Sequence, residues 1–143
     1  MRHQKEDLAF GDESERKHLS RFSTLVGASL QKTAPFHPMD YTNDGNTIFV
    51  ELKTRRVRHD QYPTALIGKN KIDFCSDETK TYYFCFCYND GLYYIKYDPE
   101  VFKTFRVEED YYRTPRYGCV NRPQTLVHIP HTHLLPVQIT PSE

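Results

Sequence analysis

The stretch that most limits the fold is Tyr82-Tyr83-Phe84-Cys85-Phe86-Cys87-Tyr88, apolar or aromatic at every position. Side chains alternate between the two faces of a strand, so a run with no polar face must be covered on both sides. It reads as the central strand of a layered sheet. Asn89-Asp90-Gly91 follows as a hairpin turn, and Leu92-Tyr93-Tyr94-Ile95-Lys96-Tyr97 supplies the returning strand.

A second strand is expected over Thr47–Arg55. Ile48, Val50 and Leu52 fall on one face, Glu51 and Lys53 on the other. Upstream, His37–Thr42 is short and extended and carries Asp40, and Asn43-Asp44-Gly45-Asn46 joins the two segments. If Asp44-Gly45 is the turn centre, Asp40 lies opposite Phe49. Glu51 is then its diagonal neighbour on the same face, at about 7 Å between Cα atoms. A slip of one residue would send Asp40 to the other face.

Helices are expected on both sides of this hairpin. The first runs from Asp12 to about Val26, with Gly27 as its stop and Leu19, Phe22, Leu25 and Val26 as its apolar residues. Glu15 either completes a capping box with Asp12 and faces solvent, or points inward in line with the buried stripe. The second begins at Asp60, takes Pro63 into its first turn, continues through Thr64-Ala65-Leu66-Ile67 and runs out at 68–70. Strand, helix and strand from Glu51 to Tyr88 imply a crossover and a parallel pair. A short edge strand is expected within 28–36 and a helix start at Asp98-Pro99-Glu100. A loop is expected over 108–121, with Arg113, Arg116 and Arg122 in or beside it. Leu126–Ile129 reads as a last strand, and the tail from Pro136 as loosely held.

At 143 residues, with eleven Tyr and nine Phe, the chain has the means for one core and too little length for two. No apolar run approaches the roughly 20 residues of a membrane span. The N-terminus Met1-Arg2-His3-Gln4-Lys5-Glu6-Asp7 has no apolar stretch behind it, so no signal peptide is read and an intracellular location is expected. Cys85 and Cys87 share a strand face, which is not a zinc-knuckle spacing. Buried thiols are expected, rather than a zinc site with His128, His131 and His133. Nineteen basic residues balance nineteen acidic ones, so only the distribution of charge points toward nucleic acid. Lys53, Arg55, Arg56, Arg58, Lys69 and Lys71 cluster after the Glu51 strand, with Asp60 as the one acid between Lys53 and Lys71.

Phosphodiester hydrolysis at neutral pH needs charge neutralisation on phosphate oxygens and an activated water. Mg²⁺ supplies both and prefers oxygen ligands. Asp40 and Glu51 would provide two carboxylates and the Leu52 carbonyl a backbone oxygen, with Glu15 as a further ligand or a holder of bound water. Lys53 would orient or help deprotonate the water and counter charge at the phosphate. For Arg55, Arg56 and Arg58, phosphate contact stands against an ordinary solvated face.

An Asp, a hairpin turn and then Glu51-Leu52-Lys53 on an apolar strand resemble the PD-(D/E)XK nuclease superfamily, of phage or viral type, over roughly 11–97. Gly11 and Glu15 are similar to the glycine and first-helix glutamate of many members. The position before Asp40 is Met39, with Pro38 one further back. The resemblance implies a mixed α+β sheet with a restriction-endonuclease-like αβββαβ core. The whole of 1–143 is then one nuclease-like domain, with the core at about 11–97 and a C-terminal extension at about 98–143. It implies an Mg²⁺-dependent nuclease, with Mn²⁺ able to substitute, acting on DNA in preference to RNA. Lys69 and Lys71 become the second-helix positions near the phosphate, and there is room for a homodimer. Neutral overall charge leaves room for a small or tethered substrate, or for a partner that does the gripping. The competing class is a nuclease-like fold without catalysis that binds nucleic acid or a protein.

Overall fold

The computed structural model describes residues 17–111 and 123–137. The larger sheet contains β1 (Gln31–Lys32), β2 (Tyr41–Thr42), β3 (Ile48–Thr54), β5 (Thr81–Tyr88), β6 (Gly91–Lys96) and β9 (Leu135–Pro136). Their order across the sheet is β1-β2-β3-β5-β6-β9. β5 lies inside it, parallel to β3 with Glu51 beside Phe84, and antiparallel to β6 with Phe84 beside Ile95. A smaller sheet has the order β4-β8-β7, from β4 (Thr64–Gly68), β8 (Gln124–Pro130) and β7 (Arg106–Tyr111).

Both faces of β5 are covered, as its composition requires. Phe84 and Phe86 pack with Phe49 and Met39 against Ala65 and Ile67 of β4 and Val127 and Ile129 of β8, so this core lies between the sheets. On the opposite face Val50, Cys85 and Cys87 pack with Tyr41, Leu30 and Phe22. Phe22 belongs to α1, whose described residues are 17–26. Gly27 has φ +71°, its amide bonds to Thr24 O at 3.3 Å, and the Ala28 amide bonds to Ser23 O at 3.1 Å. This is the Schellman stop expected of a glycine there. No helix among the described residues is long and apolar enough to cross a membrane.

Several sequence expectations need correction. Residues 64–68 form β4, not helix. Ala65 and Ile67 are buried and their neighbours half-buried, a period of two, and Leu66 pairs with His128 of β8. A five-residue run is too short for its apolar pattern to separate strand from helix, and a partner strand some sixty positions later decides it. The helical part, α2 (Lys69–Phe74), begins only after it. The crossover between parallel β3 and β5 therefore contains a strand as well as a helix. β7 extends to Tyr111, through part of the expected loop. The tail is held at least to Val137, whose amide bonds to Leu92 O at 2.8 Å while β9 pairs with β6. The edge strand within 28–36 is β1, and the helix start at Asp98 is α3 (Pro99–Phe102), where the Asp98 side chain caps the Glu100 amide at 3.0 Å. The Asp12 helix start, Gly11, Glu15, Arg113, Arg116 and Arg122 lie outside the described residues.

Candidate active site

The β2–β3 turn sets the site. Its pairs are Tyr41 with Val50 and Thr42 with Phe49, and the Asp40 amide bonds to Val50 O at 3.1 Å. Asp40 thus lies one step beyond the Tyr41–Val50 pair, across from Glu51 rather than from Phe49 as expected. The loop is longer than a two-residue turn. Asn46 adopts φ +53° and its amide bonds to Asn43 O at 3.1 Å, while Asn43 Oδ1 accepts the amides of Thr47 (2.9 Å) and Ile48 (3.0 Å). The register moves by two residues relative to the expectation. An even shift preserves the face, so Asp40 and Glu51 come closer than the diagonal arrangement would allow.

Asp40 is exposed and its Oδ2 accepts the Leu52 amide at 2.8 Å. Glu51, 2% exposed, is the one charged residue buried among those described. Lys71 Nζ of α2 lies 3.4 Å from Glu51 Oε2 and also donates to Pro38 O, tying α2 to the segment that leads into Asp40. Among the described residues Glu51 Oε1 is buried and has no hydrogen-bond partner. Burial pushes the Glu51 carboxyl up to about 7, and the neighbouring Asp40 carboxylate pushes the same way, against Lys71 and then Lys53. Lys53 is half-buried two residues further along β3, on the face of Glu51. Leu52 reaches the Asp40 carboxylate through its amide.

The sequence model of the family described as "Phage putative PDDEXK endonuclease" matches residues 2–136. The chain belongs to this family. No curated protein matches it. Membership brings a restriction-endonuclease-like mixed fold, a nuclease class of activity and nucleic acid as the class of substrate. Nucleases of this PDDEXK type use divalent metal ions. The donor set suits such an ion: two carboxylates converge, one is buried with an oxygen left over, and hard cations take oxygen ligands.

The structure brings Asp40, Glu51, Lys53 and Lys71 of this PDDEXK chain together. Lys69 instead pairs with Asp73 at 2.8 Å. Nothing in the spacing of Lys69 and Lys71 separates them; the difference appears only once α2 is seen to begin at Lys69. Arg55, Arg56 and Arg58 line a different part of the surface, a cavity beyond the end of β3. His59, Asp60 and Asp90 also stand close enough to share an ion. Their charges are already matched, because Arg58 lies 3.4 Å from Asp60 and 3.6 Å from Asp90, and the His59 ring bonds to Asp90 at 2.5 Å. The described cysteines are free and buried, and none joins a metal-sized cluster of described residues.

Proposed function

We propose that this chain is an Mg²⁺-dependent nuclease that hydrolyses phosphodiester bonds of DNA inside the cell, with 1–143 acting as one unit. The observation that carries the reading is Glu51: a carboxylate buried beside a second carboxylate, with an unpartnered oxygen and a lysine at 3.4 Å. Burying such a group costs stability, a cost that a bound cation would offset. Asp40 and Glu51 would hold the metal, joined by the Leu52 carbonyl and by Glu15. Bound there, the ion supplies charge neutralisation on the phosphate and a water of lowered pKa. The Leu52 amide fixes the Asp40 carboxylate in place. Lys53 orients the attacking water and offsets charge that grows on the phosphate. Lys71 balances Glu51 and holds the Pro38–Asp40 segment over the site. Mn²⁺ is expected to replace Mg²⁺.

The test is cleavage of single-stranded, double-stranded and branched DNA, and of RNA, with Mg²⁺ or Mn²⁺. Cleavage that disappears in Asp40→Ala, Glu51→Ala and Lys53→Ala, with the variants still folded by circular dichroism, supports the enzyme. Binding without cleavage in either metal, at the same affinity in all three variants, leaves a non-catalytic binding module instead.

A further inference from the structure

Beyond the last pair of β3 the chain keeps the strand's alternation for one more residue, since the Arg55 amide bonds to Cys87 O at 2.9 Å. Glu51, Lys53 and Arg55 therefore share a face. That line runs into a cavity of about 490 Å³ between the 55–63 segment and the edge strand β4. At about 3.3 Å per residue, Arg55 lies about 13 Å along the strand from Glu51. The cavity opens within reach of nucleotides next to one held at the carboxylates.

Its lining combines two chemistries. Arg55 and Arg56 bring positive charge, while Tyr62, Tyr88 and Tyr111 bring aromatic surface. Tyr88 lies nearly parallel to Phe86 of the core, at 15° and 5.8 Å between ring centroids. The walls are fixed before any ligand arrives. The Asn89 amide bonds to Val57 O at 2.9 Å, the His59 amide to Asp90 Oδ1 at 2.9 Å, and the His131 amide to Pro63 O at 3.0 Å. On the far side His128, another lining residue, is held between Thr64 Oγ1 and Glu108 Oε1, each at 2.8 Å.

We propose that this cavity receives one unpaired nucleotide of the substrate, its base against the tyrosine rings and its flanking phosphate on Arg55 and Arg56. This rests on the nuclease reading above and names its substrate class as DNA with an unpaired or extruded nucleotide beside the cut. A base stacked within a duplex cannot enter a cavity set between a loop and a sheet edge; a base that has left the stack can. Rings accept any base, because every base has a π-face, while guanidinium groups hold phosphate in two-point contact. The volume falls in the range of small-ligand sites.

The experiment uses the full chain carrying Asp40→Asn, so that DNA is bound and not cut. Three labelled DNAs are compared by anisotropy: a fully paired duplex, the same duplex with one unpaired 5-iodouracil nucleotide, and the single strand. The proposal expects the two DNAs with unpaired bases to bind about tenfold more tightly than the paired duplex. It expects irradiation to crosslink the iodouracil to Tyr62, Tyr88 or Tyr111, identified by peptide mapping. Adding Tyr62→Ala, at a residue 58% exposed and so removable without harm to the fold, or Tyr88→Leu should reduce the preference. Equal affinities, a crosslink mapped elsewhere, or a preference that survives both tyrosine variants overturns the pocket and leaves the nuclease reading standing. If no DNA binds and the unaltered chain cuts none, both fall.

Discussion

Asp40 stands across the β2–β3 hairpin from Glu51, one step past the Tyr41–Val50 pair, and its carboxylate takes the Leu52 amide at 2.8 Å. One strand therefore carries the buried carboxylate and also orients the exposed one. Asp40→Asn keeps a side-chain oxygen for that amide and removes only the charge. Cleavage is expected to fall at least about 100-fold, the scale of a lost acid–base or electrostatic group, while Tm and DNA binding stay near their original values. A steady-state assay in Mg²⁺ decides it; activity within tenfold of the original would remove Asp40 from the chemistry.

The proton on Glu51 links the site to stability. Its carboxyl titrates near 4.5 in the unfolded chain and is pushed up to about 7 in the folded one, first by burial and then by Asp40. Between those values the folded state binds a proton that the unfolded state has released. Stability from this group is thus complete below about 4.5 and declines as the pH rises through about 7. At 2% exposure solvent does little to soften the effect, and the loss is about 3 kcal/mol. Glu51→Gln abolishes it, so the variant should gain on the unaltered protein in metal-free urea unfolding as the pH goes from 5 to 8. Added Mg²⁺ should favour the unaltered protein, and more so at pH 8, since the ion binds the ionised carboxylate. A stability difference that stays constant over that range contradicts the account.

Lys71 is the main charge that holds the Glu51 carboxyl down. Lys71→Met leaves the carboxylate less compensated, so the acid limb of the pH–rate profile should move to higher pH, and Lys71→Arg should restore much of its position. The lost bond to Pro38 O should lower stability by about 1–3 kcal/mol. A stability loss with an unmoved acid limb would make Lys71 a structural tie alone.

The parts of this molecule that were legible in the sequence are those set by local alternation or by one residue's backbone. Glu51 and Lys53 share a face because strands alternate, and Gly27 stops a helix because it accepts φ +71°. The two-sided burial of β5 follows from a run without polar residues. What was not legible depends on distant partners or on side chains that reshape a loop. β4 needs β8, sixty positions later, and the choice of Lys71 over Lys69 needs the start of α2. The register needs the Asn43 side chain, which closes a loop longer than Asp44-Gly45 alone suggested. The site survived that error because the shift was even.

The basic segment offers a comparison within itself. Arg58 already faces Asp60 at 3.4 Å and Asp90 at 3.6 Å, whereas Arg56 is exposed at the cavity and makes no ion pair with a described residue. Arg58 would have to exchange protein carboxylates for phosphate, and Arg56 would not. Arg56→Ala should therefore weaken DNA binding more than Arg58→Ala. It should also lower the slope of log K against log salt by about one, as expected for one lost phosphate contact. Equal losses and equal slopes for the two variants would show that the acidic partners of Arg58 do not matter.

Asn43 provides the sharpest test of how the turn governs the site. Its Oδ1 accepts the Thr47 and Ile48 amides, and its Nδ2 donates to Thr47 Oγ1 at 2.9 Å. These bonds hold the four-residue loop that sets Asp40 across from Glu51. Asn43→Ala leaves the two amides without their acceptor and should cost about 1–3 kcal/mol, a fall in Tm of roughly 4–10 °C for a chain of this size. Cleavage measured well below that lower Tm should fall too, because the loop can then relax toward the two-residue turn that places Asp40 opposite Phe49. Asp44→Ala, in the same loop, removes a carboxylate that makes none of these bonds and serves as the control. If Asn43→Ala lowers Tm but cleaves as fast as the control, the alignment of the two carboxylates comes from the Leu52 amide and the Lys71–Pro38 tie, and not from the turn.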